Sequence, residues 1–411
     1  MPNEEEDGVK ARFSDVLSTP WRVVLLGSSP GSLLESELIQ NLNDPCALKD
    51  VSWIKPGIST RYHGQTGEVK HDNQMIKQYI DLTASERWPY MMIDYPWYGA
   101  FNHPEADITQ AAPQLDMPGL LRYVKEKNVR LWLWLYSSDV NRNNNFEEAL
   151  ALYEKWGIAG VKIDLMDRED QEIVNWYKKI ITKAAEHHLL VDFHGACKPD
   201  GIIRTYPNMI TCVGFISEES PKSGSRILPE HNVILPFTRM LAGQMDYTPG
   251  ESLNVGKANL TQASATQAVN TLCAELAKFV IYESLLIVYS DYSEHMLNQA
   301  EADFLKLVPT VWDDIHVISG YPGEHIALVK RSGNNFFIGA MTNNITRSLK
   351  IKLNFLPKGI YQLTSWEDAK GTRLQSKKVV KSRKIVNSRS VINVKMAGSG
   401  GYVAELRLIT Q

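Results

Sequence analysis

The sequence predicts an α/β fold, an eight-stranded (β/α)8 TIM barrel followed by a C-terminal antiparallel β-sandwich, on three observations. Between about residues 50 and 305, short apolar runs alternate with longer segments of helical period, the pattern of a strand, a crossover helix and a parallel strand. After about residue 308 the apolar period drops to two, with Gly, Asn and Asp at the turns, as in an all-β domain. The chain of 411 residues has room for both, because an eightfold barrel takes about 250 residues.

Barrel strands are expected at Gly57 to Tyr62, Tyr90 to Ile93, Val129 to Tyr136, Ala159 to Ile163, Leu189 to Phe193, Ile210 to Ile216, Met240 to Met245 and Leu285 to Tyr289. Between them, Asp116 is placed to cap a helix over Gly119 to Glu126, and Asn145 one over Glu147 to Trp156. Asp167 and its acidic followers open a helix to His187, with Ile173, Trp176, Tyr177, Ile180 and Ile181 on one face. Beyond the boundary at Leu307 to Trp312, strands are expected at His316 to Ser319, His325 to Val329, Phe336 to Met341, Leu349 to Leu353, Ile360 to Trp366, Val391 to Lys395 and Tyr402 to Leu408. The basic run from Lys377 to Arg389 alternates with valine and isoleucine and reads as the solvated face of a hairpin. The domains are therefore 1–48, an N-terminal extension; 49–307, the barrel; and 308–411, the all-β unit.

Composition narrows the function. With 44 Lys and Arg against 47 Asp and Glu, the net charge of −3 provides no global field toward nucleic acid or an anionic membrane. No apolar run reaches the ~20 residues of a spanning helix. The four cysteines, Cys46, Cys197, Cys212 and Cys273, have no metal-finger or disulfide-framework spacing. The acidic start, Met1 to Lys10, lacks the apolar core of a secretory signal, so a cytoplasmic location is expected, or a periplasmic or secreted one if a leader has been removed. Nothing in the sequence sets an oligomeric state.

Barrel enzymes place their chemistry at the carboxyl ends of the strands. The polar residues that directly follow apolar runs here are Asp94, Asp164, His194 and the pair Glu218 and Glu219. Asp164 shares a strand face with Lys162, two residues earlier. Glu218 and Glu219 would point to opposite faces of a strand, and the pattern leaves open which one enters a cleft. Trp97, Tyr98, Trp132, Trp134 and Tyr136 offer flat faces for sugar rings or simply pack the core. Walker, zincin and serine-hydrolase motifs are absent from the sequence, which leaves carboxylate chemistry.

The blocks Gly160-Val-Lys-Ile-Asp164, Leu190-Val-Asp-Phe-His-Gly195, Arg204-Thr-Tyr-Pro-Asn208 and Pro236 to Gly250 resemble glycoside hydrolase family 97, the α-galactosidase and α-glucosidase family, and the similarity runs over nearly the whole chain from Thr19. The resemblance implies an α-glycosidase, α-galactosidase most of all and α-glucosidase otherwise, acting on a small galactoside or oligosaccharide. Retaining members end the fourth strand with an Asp, here Asp164, and the Glu position of the inverting branch is here Gly195. The family's acid/base glutamate falls on Glu219. Asp164 would attack the anomeric carbon and Glu219 protonate the leaving oxygen, with their carboxyls about 5–5.5 Å apart. Asp94, Trp97, Lys162, His194 and Arg239 are the implied substrate-binding residues.

Three departures from the family pattern stand out. The large β-sandwich that precedes the barrel in the family is represented by residues 1–48 alone, a remnant in which Val23-Val-Leu-Leu26 reads as a strand seeking a partner. The resemblance implies a calcium ion held by glutamates, Glu219 among them; six positions earlier, where another ligand belongs, this chain has Val213, whose side chain gives a hard cation no oxygen. The segments Ser59 to Gly64 and Asp94 to Trp97 also differ from the family's usual choices. A catalytically impaired carbohydrate-binding or scaffolding relative is the alternative reading.

Overall fold

The computed structural model describes residues 10–14, 19–62, 72–142, 145–166, 168–214, 227–249, 270–289, 300–370 and 379–410. Seven parallel strands build the barrel: β1 (Gly57–Tyr62), β2 (Tyr90–Ile93), β3 (Arg130–Tyr136), β4 (Gly160–Asp164), β5 (Leu190–Phe193), β6 (Met209–Cys212) and β7 (Leu286–Tyr289). Their order is β6-β5-β4-β3-β2-β1-β7, a nearly closed ring.

The expected strand over Met240 to Met245 is not formed. Arg239 to Ala242 make a 3-10 turn instead, because the Arg239 guanidinium donates to the carbonyls of Gly243 (3.0 Å) and Gln244 (2.8 Å) and folds the segment back on its own side chain. Two hydrogen bonds still carry this segment across the gap between β6 and β7: Met245 N–H to Glu283 O (2.9 Å) and Asp246 N–H to Cys212 O (3.0 Å). The place of a barrel strand is thus held without a ladder.

Ten helices accompany these strands among the described residues: α1 (Pro30–Leu34), α2 (Leu38–Asn41), α3 (Asn73–Ser85), α4 (Met117–Lys127), α5 (Ser137–Val140), α6 (Phe146–Trp156), α7 (Gln171–Glu186), α8 (Pro229–Ile234), α9 (Leu272–Ile281) and α10 (Ala300–Leu305). Asp116 caps α4 through Gly119 N–H at 2.9 Å, as its position suggested. Asn145 precedes α6 but caps nothing; its amide donates to Asp107 instead. Asp170 caps α7 through Ile173 N–H, and Asp167 lies outside the described residues.

The barrel interior is layered. Tyr90, Met92, Trp132, Leu190, Ile210, Leu286 and Val288 form a dry plug, since inward residues recur every second position along a strand. Continuing that alternation toward the carboxyl ends gives Asp94 on β2, Trp134 on β3, Lys162 and Asp164 on β4, and Asp192 and then His194 at β5. Polar groups therefore sit at the upper end of an apolar cylinder.

The C-terminal unit holds β8 (Asp314–Tyr321), β9 (His325–Ser332), β10 (Asn335–Thr342), β11 (Arg347–Lys352), β12 (Ile360–Asp368), β13 (Val379–Val386), β14 (Val391–Met396) and β15 (Gly401–Thr410). Six form an antiparallel sheet in the order β13-β12-β15-β10-β9-β8, and β11 pairs with β14. Val329, Ile338, Ile351, Leu363, Val394 and Leu406 fill the space between the two sheets. The opposite face of the large sheet, with Leu328, Phe337, Trp366 and Val403, packs on α9, whose residues are all buried. Gly339 permits the close approach: a Cβ there would lie 2.9 Å from Val280 Cβ. Val23 to Leu26 form no strand, and Trp21, Val24 and Leu26 are exposed.

Candidate active site

Asp164 is the last residue of β4, and its carboxylate is held on both oxygens. Oδ2 accepts from Trp134 Nε1–H at 3.0 Å, and Oδ1 from Leu165 N–H at 2.7 Å. The register pairs Trp134 with Lys162 and Tyr136 with Asp164, so Trp134 reaches up one step to the acid. Leu165 has φ +64, an uncommon conformation for a residue with a β-carbon; it turns the N–H back onto the Asp164 side chain and onto His194 O. His194 Nδ1 stands 3.3 Å from Asp164 Oδ1. Burial works to raise the Asp164 pKa, but the charge and hydrogen bond of His194, then Lys162 and Trp134, outweigh it and hold the group below its ordinary value. The site keeps this carboxylate ionised.

Beneath it lies a buried charged layer. Lys162, with no exposed surface, places Nζ 3.5 Å from Asp246 Oδ2. His194 Nε2 is 3.8 Å from the same oxygen. Asp192, in register with Lys162, is fully buried; burial first and the Asp246 carboxylate second push its pKa well above the carboxylate range.

The other sequence-expected residues fall in different places. Asp94 directly follows β2 with 2% exposure, ion-paired to Arg61 and accepting from Tyr95 N–H. Trp97 has no exposed surface: its Nε1–H donates to Trp134 O at 2.6 Å and its ring packs on Tyr98 and Tyr153. It buttresses Trp134 and offers no face to a sugar. Arg239 donates its guanidinium to the carbonyls of Cys212, Val213, Gly243 and Gln244, a clamp on the backbone. Glu218 and Glu219 lie outside the described residues.

Sequence reading passed over Arg61, Asp192 and Asp246. The strand-end rule, applied after Met245, points directly to Asp246. Half-buried Tyr95 and Phe101 also went unremarked; both pack against Trp134, at 5.4 and 5.3 Å between ring centres, and form an apolar wall beside Asp164.

Val213 stands at the position implied for a calcium ligand. This residue is buried, and its carbonyl accepts from Arg239 Nη2 at 2.7 Å. Its side chain offers a hard cation no oxygen, and among the described residues, which do not include Glu219, no group of three or more His, Cys, Asp or Glu could hold a metal.

Comparison with known proteins gives consistent results. The Glycoside hydrolase 97 model matches residues 53–214, the family's N-terminal model residues 2–45, and its C-terminal, oligomerisation model residues 311–407. A probable retaining alpha-galactosidase of Streptomyces bingchenggensis is 33% identical over 82% of this chain and 51% of its own length. A retaining alpha-galactosidase of Bacteroides thetaiotaomicron is 28% identical over 99% of this chain and 62% of its own. The chain thus spans between half and two thirds of these relatives. Among solved structures, a family 97 enzyme from Pseudoalteromonas sp. strain K8 in complex with acarbose superposes with a TM-score of 0.84 at 28% identity, covering 93% of this chain and 65% of that one. Barrel, sandwich and matched segments agree, and the chain belongs to glycoside hydrolase family 97.

Proposed function

We propose that this chain hydrolyses terminal α-linked galactosides with retention, Asp164 acting as nucleophile and Glu219 as acid/base. One observation carries the reading: a carboxylate at the end of the fourth barrel strand, kept ionised by His194 and Lys162 and aimed by Trp134 and the Leu165 N–H. The names of the two relatives support the choice of galactoside over glucoside.

In the first step an Asp164 oxygen donates an electron pair to the anomeric carbon as the glycosidic C–O bond breaks. Glu219 gives its proton to the departing oxygen, and a glycosyl ester forms on Asp164. In the second step Glu219 takes a proton from water, the water oxygen bonds to the anomeric carbon from the face the leaving group vacated, and Asp164 departs as carboxylate.

The test is a panel of 4-nitrophenyl α-galactoside and α-glucoside, with and without calcium or chelator, together with an Asp164→Gly variant. Dye release in the wild type, its loss in the variant, partial rescue by azide and NMR detection of an α-configured first product support the proposal. Turnover unchanged in the variant, or a β-configured first product, removes it. Faster release from the glucoside would favour an α-glucosidase, in keeping with the panose bound to a second structure of the Pseudoalteromonas enzyme.

A further inference from the structure

We propose that Asp246 is a positioning residue for this reaction: its buried carboxylate holds Lys162 and His194 at the distances from which both act on Asp164. The inference rests on the reading of Asp164 as nucleophile.

Four observations support it. Asp246 Oδ2 faces both Lys162 Nζ, at 3.5 Å, and His194 Nε2, at 3.8 Å. Its other oxygen accepts from Thr248 Oγ1–H at 3.1 Å, which sets the rotation of the carboxylate. Its backbone N–H is tied to Cys212 O on β6, so the residue is fixed across the one gap in the barrel ring even though its segment lacks a ladder. The side chain has no exposed surface, so it acts only through its neighbours.

The geometry gives Asp246 its purpose. Burial and the neighbouring Asp246 raise the pKa of Asp192, the other acid beside Lys162, whereas Asp246 is the acid within ion-pair distance of the buried ammonium. Lys162 stands two residues before Asp164 on the same strand face. Without Asp246 its flexible stem would let the ammonium move onto the Asp164 carboxylate. A nucleophile in a close ion pair gives up electron density it needs for attack, and His194 would lose its second anchor. Asp246 keeps Lys162 near enough to hold Asp164 ionised and far enough to leave it reactive.

The experiment compares Asp246→Asn with wild type on 4-nitrophenyl α-galactoside, measuring kcat and KM separately. Attack is read independently as the rate at which 5-fluoro-α-galactosyl fluoride labels Asp164, followed by intact-protein mass spectrometry. The expected result is a fall in kcat of about tenfold or more with KM changed less than about threefold, and labelling slowed in proportion. In a Lys162→Met background the same change at Asp246 should cost much less, because its main client is gone. Should Asp246→Asn fail to fold, Thr248→Val removes the hydrogen bond to the Asp246 carboxylate and should give a smaller loss with the same split. Unchanged kcat and labelling, a rise in KM alone, or full additivity with Lys162→Met overturns the inference. If Asp164→Gly retains turnover, the nucleophile assignment falls first; if Asp164→Gly is inactive while Asp246→Asn matches wild type, only the present inference falls.

Discussion

His194 Nδ1 lies 3.3 Å from Asp164 Oδ1, and the opposite ring nitrogen faces Asp246. The imidazole therefore joins the carboxylate proposed to attack to the one proposed to position it. With burial pushing the Asp164 pKa up, His194 is the largest of the influences that bring it down.

Replacing His194 by Gln removes the imidazole that lowers the Asp164 pKa while keeping a side-chain donor. Asp164 must be ionised to attack, so a higher pKa moves the acidic limb of the kcat/KM profile to higher pH. The expected outcome is that shift, with activity at pH 5 losing more than activity at pH 7. Matching acidic limbs in variant and wild type would show that His194 does not set the charge of Asp164.

Trp134→Phe keeps the ring beside Tyr95 and Phe101 but deletes the Nε1–H donated to Asp164 Oδ2. A hydrogen bond to a charged group is worth about 1.5–3 kcal/mol, so kcat/KM should fall about tenfold or more. Thermal unfolding should change little, since the lost group faces the site. Equal kcat/KM values for the two proteins would remove Trp134 from the set that aims the nucleophile.

Gly195 explains why this chain does not carry the inverting branch's glutamate. Its φ of +60 favours glycine, and a Cβ would lie 3.1 Å from Asp164 Oδ1 and 3.0 Å from Leu165 N. Gly195→Ala should cost about 1–2 kcal/mol in stability from the left-handed backbone alone and displace the Asp164 carboxylate, lowering kcat further. Gly195→Glu should give an inactive protein with no inverted product by NMR. Release of the β-anomer by Gly195→Glu would show that the site accepts a second mechanism.

How much of this was legible in the sequence depends on which force fixes each part. Asp164 and His194 were readable because they end apolar runs, and a strand end in a barrel is set by the same alternation that buries Val161 and Ile163. Asp116 was readable as a cap because the rule is local. The packing of Trp97 and Arg239 was not readable because residue type does not reveal it: the first is closed over by Tyr98 and Tyr153, and the second turns onto four carbonyls. The missing barrel ladder is non-local, since Met240 to Met245 has the apolar content of a strand. Asp192 looked like an ordinary interior strand residue, and the part of its raised pKa that comes from Asp246 follows only once that residue is brought beside it from another part of the chain.

Away from the site, Lys330 on β9 makes a stability prediction. It is 1% exposed, its ammonium has no hydrogen-bond acceptor among the described residues, and Nζ lies 5.4 Å from the Trp312 ring centre. Burial pushes its pKa down to about 8, partly opposed by Glu283. The unfolded chain, with an ordinary lysine near 10.5, binds more protons than the folded one between those two values, so stability rises with pH across that window and is flat below it. At pH 7 the full cost of burying the charge is present. Lys330→Met, which keeps the stem and drops the ammonium, should therefore stabilise the protein at pH 7 on the order of 1–3 kcal/mol and lose the rise between about pH 8 and 10.5. Urea unfolding of both proteins at pH 7 and pH 10 measures this directly. A variant less stable than wild type at pH 7 would show that the cation over Trp312 contributes more than its desolvation costs.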